Sequence, residues 1–125
     1  MLRACANLLR PGGRTAYLTI HAADGQSPSQ RRRAHRWGPP GMATRGSQRQ
    51  LLEAAGFADI VETDCSAEFA AVISGWRDQW DQHRSEMEAL WGVTGFQQRQ
   101  KDRRYTLKAV EDGILRRSML VATRA

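Results

Sequence analysis

The stretch NLLRPGGRTAYLTI, Asn7 to Ile20, sets the frame for the rest of the chain. Pro11 fixes φ near the value needed at the second position of a turn, and Gly12 accepts the positive φ that a type II turn requires at the third. Gly13 adds a further flexible step. Before the turn, Leu2, Ala6, Leu8 and Leu9 recur at roughly helical spacing, and Pro11 withholds an N–H, so a helix is expected to end near Arg10. After it, Thr15 to Ile20 is uncharged and rich in β-branched and aromatic residues. That composition predicts a strand covered on both faces, inside a parallel sheet.

The chain has 125 residues, enough for one domain with a core. Cys5 and Cys65 form neither a disulfide framework nor a Cys-x-x-Cys site, which predicts reduced thiols, no metal and a cytoplasmic location. No apolar run approaches the roughly 20 residues needed to cross a bilayer, and no secretion pattern opens the chain. A formal net charge of +6 and a pI near 10.3 raise the question of nucleic acid. Only Lys101 and Lys108 are lysines, and apart from Arg31, Arg32, Arg33 and Arg36 the arginines are scattered. No recognised binding motif accompanies them, so neither nucleic acid nor a membrane is the expected partner.

Residues 24–46 turn to Gly, Pro, Ser, Gln and Arg with Trp37 as the one aromatic, which predicts a long loop. Ser47-Gln48-Arg49-Gln50 has the form of a capping box and opens a helix carrying Leu51, Leu52, Ala54 and Ala55, closed by Gly56 in the left-handed conformation. Phe57 to Thr63 follows as a second strand, with Phe57, Ile60 and Val61 buried. From Ser66 the spacing of Phe69, Val72, Ile73, Trp76, Trp80, His83, Met87 and Leu90 predicts one long helix. Gly92 to Gly95 interrupts it. Thr94-Gly95-Phe96-Gln97 has capping-box spacing for a further helix ending near Gly113, and Arg117 to Thr123 is a third strand.

Three phrases in this order, Leu9-Arg10-Pro11-Gly12-Gly13, Leu52-Glu53-Ala54-Ala55-Gly56-Phe57 and the ending Leu120-Val121-Ala122, carry a resemblance. The chain resembles the C-terminal half of a class I S-adenosylmethionine-dependent methyltransferase. The resemblance implies an α/β fold and a single partial Rossmann-like domain over 1–125. It would hold the last three strands of the family's sheet, the final strand antiparallel between the other two. A helical insertion over 66–113 would lie between the last two strands as a substrate cap.

The family's cofactor loop, a strand running into Gly-x-Gly-x-Gly, has no counterpart among these phrases. Pro11-Gly12-Gly13 precedes a strand, whereas a ligand-cradling loop follows one. S-adenosylmethionine is therefore the cofactor of the parent family, with no cofactor-binding residue assigned here and no tight binding expected of this chain alone. The first strand would lack its usual neighbour, leaving an open edge for a second copy or a partner chain. A truncated reading frame and a split enzyme are the other outcomes this predicts.

By the same resemblance, residues just after the first strand face the cleft, which makes His21 the candidate catalytic base. Trp76, Trp80 and His83 share a helical face and, with Trp37, are the candidate substrate-binding residues, whereas a tryptophan stripe is otherwise core packing. The implied function is the substrate-side portion of a methyltransferase acting on a small molecule, inactive alone. The alternatives are a non-catalytic module docking on an intact methyltransferase, or an RNA-binding accessory using the arginine-rich loop.

Overall fold

A turn closed by the Gly13 N–H on the Arg10 carbonyl, 2.8 Å, joins the first helix to the first strand, with Gly12 at φ +77°. The computed structural model describes residues 1–42 and 47–125. In chain order the elements are α1 (Leu2–Leu8), β1 (Arg14–Ala22), α2 (Pro28–Trp37), α3 (Gln48–Ala54), β2 (Phe57–Asp64), α4 (Ser66–Gln82), α5 (Arg84–Glu111) and β3 (Leu115–Arg124).

The three strands form one sheet in the order β1-β3-β2, and both pairings are antiparallel. β1 and β2 therefore run parallel to each other with β3 reversed between them, the arrangement that the resemblance implied. The expectation that β1 lies inside a parallel sheet, covered on both faces, is corrected. None of its residues is fully buried, Leu18 is 51% exposed, and its one strand partner among the described residues is β3.

Apolar clusters cover the two faces. On the face bearing Tyr17, α1 and α3 bring Ala6 and Leu52 against Phe57, Ile60, Leu120 and Ala122. On the other, α2, α4 and α5 bring Ala34, Phe69, Ile73, Ala109 and Val110 against Leu115, Ile20 and Ala22. Alternation along each strand assigns the side chains to these faces.

Three further expectations are corrected. The predicted loop over 24–46 contains α2, a helix opened by a capping box between Ser27 and Gln30 with Pro28 at its first position. Proline there costs nothing, because that N–H has no partner within the helix, and arginine is a good helix former. Residues 43–46 of that loop lie outside the described residues. Val61 is 59% exposed rather than buried, because a bulge shifts the β2–β3 register between Ala58 and Val61, with Asp59 at φ +50°. The single long helix from Ser66 to Leu90 is two, separated at His83, whose φ of −106° and ψ of 31° leave the helical range.

Other local features agree with the residues that suggested them. Ser47 and Gln50 form a capping box, Gly56 lies at φ +90°, Gly92 interrupts α5 at φ +76° and ψ 162°, and Gly113 follows its end at φ +71°. The capping box expected over Thr94 to Gln97 is corrected: the interruption falls at Gly92, so these four residues already lie inside α5.

Candidate functional site

Residues from all three strands meet at one end of the sheet, on the face that α1 and α3 cover further along. The β1–β3 register sets His21 opposite Arg116 and Thr19 opposite Ser118, while the β2–β3 register sets Asp64 opposite Ser118 and Glu62 opposite Leu120. The bulge at Asp59 decides the last two. Side chains alternate with a period of two, so a one-residue slip exchanges the faces of a strand. With the bulge, Glu62 and Asp64 share a face with His21, and Val61 is turned outward.

His21 occupies the centre of this group, its side chain 13% exposed. Its Nδ1 lies 3.0 Å from the Ala22 carbonyl oxygen and its Nε2 2.9 Å from the Ser118 hydroxyl. A carbonyl only accepts, so Nδ1 carries the proton and donates it there. In the neutral ring Nε2 is then the acceptor of the Ser118 O–H. Glu62 places Oε1 3.7 Å from the same Nε2. A proton taken up at Nε2 would have a carboxylate beside it.

Asp64 adjoins this group. Its Oδ1 accepts from the Ser66 hydroxyl at 2.6 Å and from the Ser66 N–H at 2.9 Å, and its Oδ2 pairs with Arg116. The two bonds from Ser66, then Arg116 and His21, hold its carboxyl below the usual range. A cavity of about 620 Å³ opens over His21, Glu62, Asp64, Arg116 and Ser118.

A second, apolar groove of about 700 Å³ runs along the free edge of β1, lined by Tyr17, Leu18, Ile20, Met42, Val72 and Trp76 among others. Tyr17 donates to Gln48 Oε1 at 3.4 Å, and burial, followed by the Glu62 charge, raises its phenol above the ordinary value. Thr19 lines the groove and pairs in register with Ser118, so one residue links the groove to the polar end.

The five side chains singled out from the sequence do not converge. Trp76 lines the apolar groove, 45% exposed, and His21 lies in the polar cavity. Trp80 meets Trp91 edge to face at 5.3 Å, and Trp37 stacks on Tyr105 at 4.1 Å. His83 is exposed at the α4–α5 break, with Nδ1 3.2 Å from Glu86. Glu62, Asp64, Arg116 and Ser118 escaped the sequence reading. They belong to two strands distant from His21 in the chain, and only the bulged register gathers them.

Among the described residues no group of three or more His, Cys, Asp or Glu side chains could hold a metal ion, and both cysteines are free. Among the same residues no helix is long and apolar enough to cross a membrane.

No protein-family model matches the chain, and no curated protein matches it. Solved structures do. The chain is similar to a Haemonchus contortus phosphoethanolamine N-methyltransferase, solved with phosphomonomethylethanolamine and S-adenosylhomocysteine, at a TM-score of 0.80 and 14% identity over 98% of this chain and 29% of that one. It is similar to a Galdieria sulphuraria protein assigned as a sarcosine dimethylglycine methyltransferase, at 0.85 and 16% over 99% and 46%. A cyclopropane synthase from Mycobacterium tuberculosis matches at 0.76 and 13% over 98% and 48%. The chain thus has the fold of part of a methyltransferase and spans less than half the length of each of these structures.

The Haemonchus enzyme also binds S-adenosylmethionine. Among the described residues no connection from a strand to a helix has the form of a glycine cradle for that cofactor. Gly12 and Gly13 serve the turn before β1, where a Cβ on Gly13 would meet the Arg10 carbonyl oxygen at 2.8 Å. The connection from β1 to α2 holds one glycine, Gly25, and that from β2 to α4 holds none. A glycine cradle for such a ligand needs several glycines between a strand and the helix it feeds.

Proposed function

We propose that this chain is the C-terminal, substrate-side portion of an S-adenosylmethionine-dependent methyltransferase acting on a small molecule, with the cofactor held by residues other than these. The observation that carries the reading is the reversed β3 between β1 and β2, in a chain that superposes over nearly its whole length on methyltransferases.

The part of these residues in the reaction is confined to the methyl acceptor. His21 is the candidate base. Its Nε2 takes the acceptor's proton when the Ser118 hydroxyl rotates off that lone pair, the ring staying in place, and Glu62 balances the resulting charge. Ser118 and the Ala22 carbonyl orient the ring. Trp76 and the groove beside β1 enclose apolar parts of the substrate, with Thr19 between the two regions. Trp37, Trp80 and His83 hold the helical insertion together in this reading, and that insertion acts as the cap.

A second reading, a docking module without catalysis, is favoured by one observation. β1 has an edge with no strand partner among the described residues, beside the half-exposed Leu18.

Calorimetric titration with S-adenosylmethionine tests the first reading. The chain alone should give no saturable heat, and tight binding would overturn its assignment to the substrate side. The coding sequence upstream of Met1 supplies the positive arm. A protein extended through an in-frame glycine-rich strand-loop-helix should transfer methyl groups, and His21→Ala should slow it by about a hundredfold, within the usual range for a general base. Full activity in that variant would remove His21 from the chemistry.

A further inference from the structure

We propose that α2 and the C-terminal half of α5 form a binding face for the phosphates of nucleic acid, engaged without regard to base sequence. The segment bearing Arg31, Arg32, Arg33 and Arg36 is a helix locked onto α5, not a loose run of charge. Ala34, 0% exposed, points into the core, Trp37 stacks on Tyr105 at 4.1 Å, and the Thr106 hydroxyl donates to the Trp37 carbonyl at 2.9 Å. Arg36 lies 5.0 Å over the Trp37 ring and Arg104 5.6 Å over Tyr105. The two guanidinium groups are thereby held on either side of the seam between the helices.

The charges on α2 are not matched within the helix that carries them. It contains no acidic residue, and Arg32 and Arg36 form a like-charge i,i+4 pair, while Arg36 lies in the last turn, where a cation meets the helix dipole favourably. Arg33 is offset by Asp112 at 3.2 Å, but Arg31, Arg32, Arg36 and Arg104 have no carboxylate within 4 Å among the described residues. Exposed cations with no carboxylate of their own leave this face with a positive field that an external anion can neutralise.

That partner must be an extended anion. The four cations are exposed and spread over two helices on an open surface, which suits a row of phosphates rather than one enclosed ion. All four are arginines, whose planar fork matches phosphate oxygens. Trp37 and Tyr105 already cover each other, so the seam offers no ring for a base to stack on. Contacts are then to the backbone alone.

Fluorescence anisotropy with a labelled oligothymidylate of about 20 nucleotides tests this. Four phosphate contacts to a single strand give a slope of log K against log salt of about −2.8, a loss of about fiftyfold between about 50 and about 200 mM salt. Arg32→Ala with Arg36→Ala should lower the slope to about −1.4, whereas Arg3→Ala with Arg14→Ala, at the same net charge, should leave it unchanged. The first pair relieves a like-charge repulsion but also gives up the Arg36 contact with Trp37, so both pairs are melted beside the parent and binding is compared at a temperature where all three are folded. No binding at low salt, or equal losses from the two pairs, would overturn the proposal. So would binding to phosphatidylserine vesicles without binding to the oligonucleotide, which would assign the face to a membrane surface.

Discussion

The imidazole Nε2 of His21 and the hydroxyl of Ser118 lie 2.9 Å apart, joined across 97 positions of sequence. Ser118 is 2% exposed, so the bond is made where water cannot substitute for it. Ser118→Ala removes the hydroxyl and leaves a ring nitrogen without its donor. The expected loss is about 1–3 kcal/mol of unfolding free energy in urea titration. Ser118→Thr, which keeps the hydroxyl, should recover part of it, and equal losses from both variants would show that volume rather than the bond matters.

Asp59 carries the left-handed φ of the β2 bulge, a conformation that Asp tolerates and β-branched residues do not. Asp59→Val should cost about 1–2 kcal/mol, and Asp59→Gly much less. Deleting Asp59 is the sharper test, because it removes the extra residue and turns Glu62 and Asp64 to the opposite face. In that variant nuclear Overhauser contacts between the His21 ring and Glu62 should vanish. Their persistence would mean that the bulge reforms elsewhere.

Two helix-associated glycines should respond in opposite directions to alanine. A Cβ on Gly38 would meet the Ala34 carbonyl oxygen at 2.7 Å and crowd Met42 and Leu115, so Gly38→Ala should cost about 1–3 kcal/mol through overpacking. Gly75 lies within α4 with open space around it, so Gly75→Ala should gain about 0.5–1 kcal/mol from helix propensity. Thermal melts of the two variants should therefore bracket the parent.

The acid limb of stability should depend on Asp64, and the alkaline limb on Tyr17. Ser66 donates twice to the Asp64 carboxylate, lowering its pKa in the folded chain relative to the unfolded one. The stabilisation is complete above the unfolded carboxylate value near 4 and is lost as pH falls through the lower folded value. Asp64→Asn should flatten that limb in melts below about pH 4. Tyr17 is shifted upward by burial and by Glu62, so the folded state holds its proton more tightly. Its contribution is complete below the unfolded value near 10 and is lost as pH rises through the folded one. The phenolate absorbance of Tyr17, isolated by comparison with Tyr17→Phe, should rise at higher pH in folded than in denatured protein.

Local chemistry that a few neighbouring residues determine was legible in the sequence. The Pro11-Gly12 turn, the Ser47 to Gln50 capping box and the breaks at Gly56, Gly92 and Gly113 each depend on backbone freedom or a nearby donor, and each formed as expected. Ser27-Pro28-Ser29-Gln30 offered the same capping signal as Ser47 to Gln50 but was hidden by a loop-like composition. The reversed β3 was legible only through the family resemblance, because no property of Met119, Leu120 and Val121 specifies a direction. The polar end of the sheet was not legible. Asp59 has no sequence mark of a bulge, and that one residue decides whether Glu62 or Val61 faces His21.

The central position of β3 governs when this sheet can exist. β1 and β2 have no bonds to each other; each pairs with β3, and Arg14 finds its partner at Thr123. Ring closure over such separations is slow compared with helix formation, so α4 and α5 can form while both earlier strands still wait. During synthesis, residues 14–22 and 57–64 leave the ribosome before residues 115–124, the one strand that either pairs with among the described residues. For these three strands the reversed β3 makes assembly of the sheet the last local event, after the helices between them.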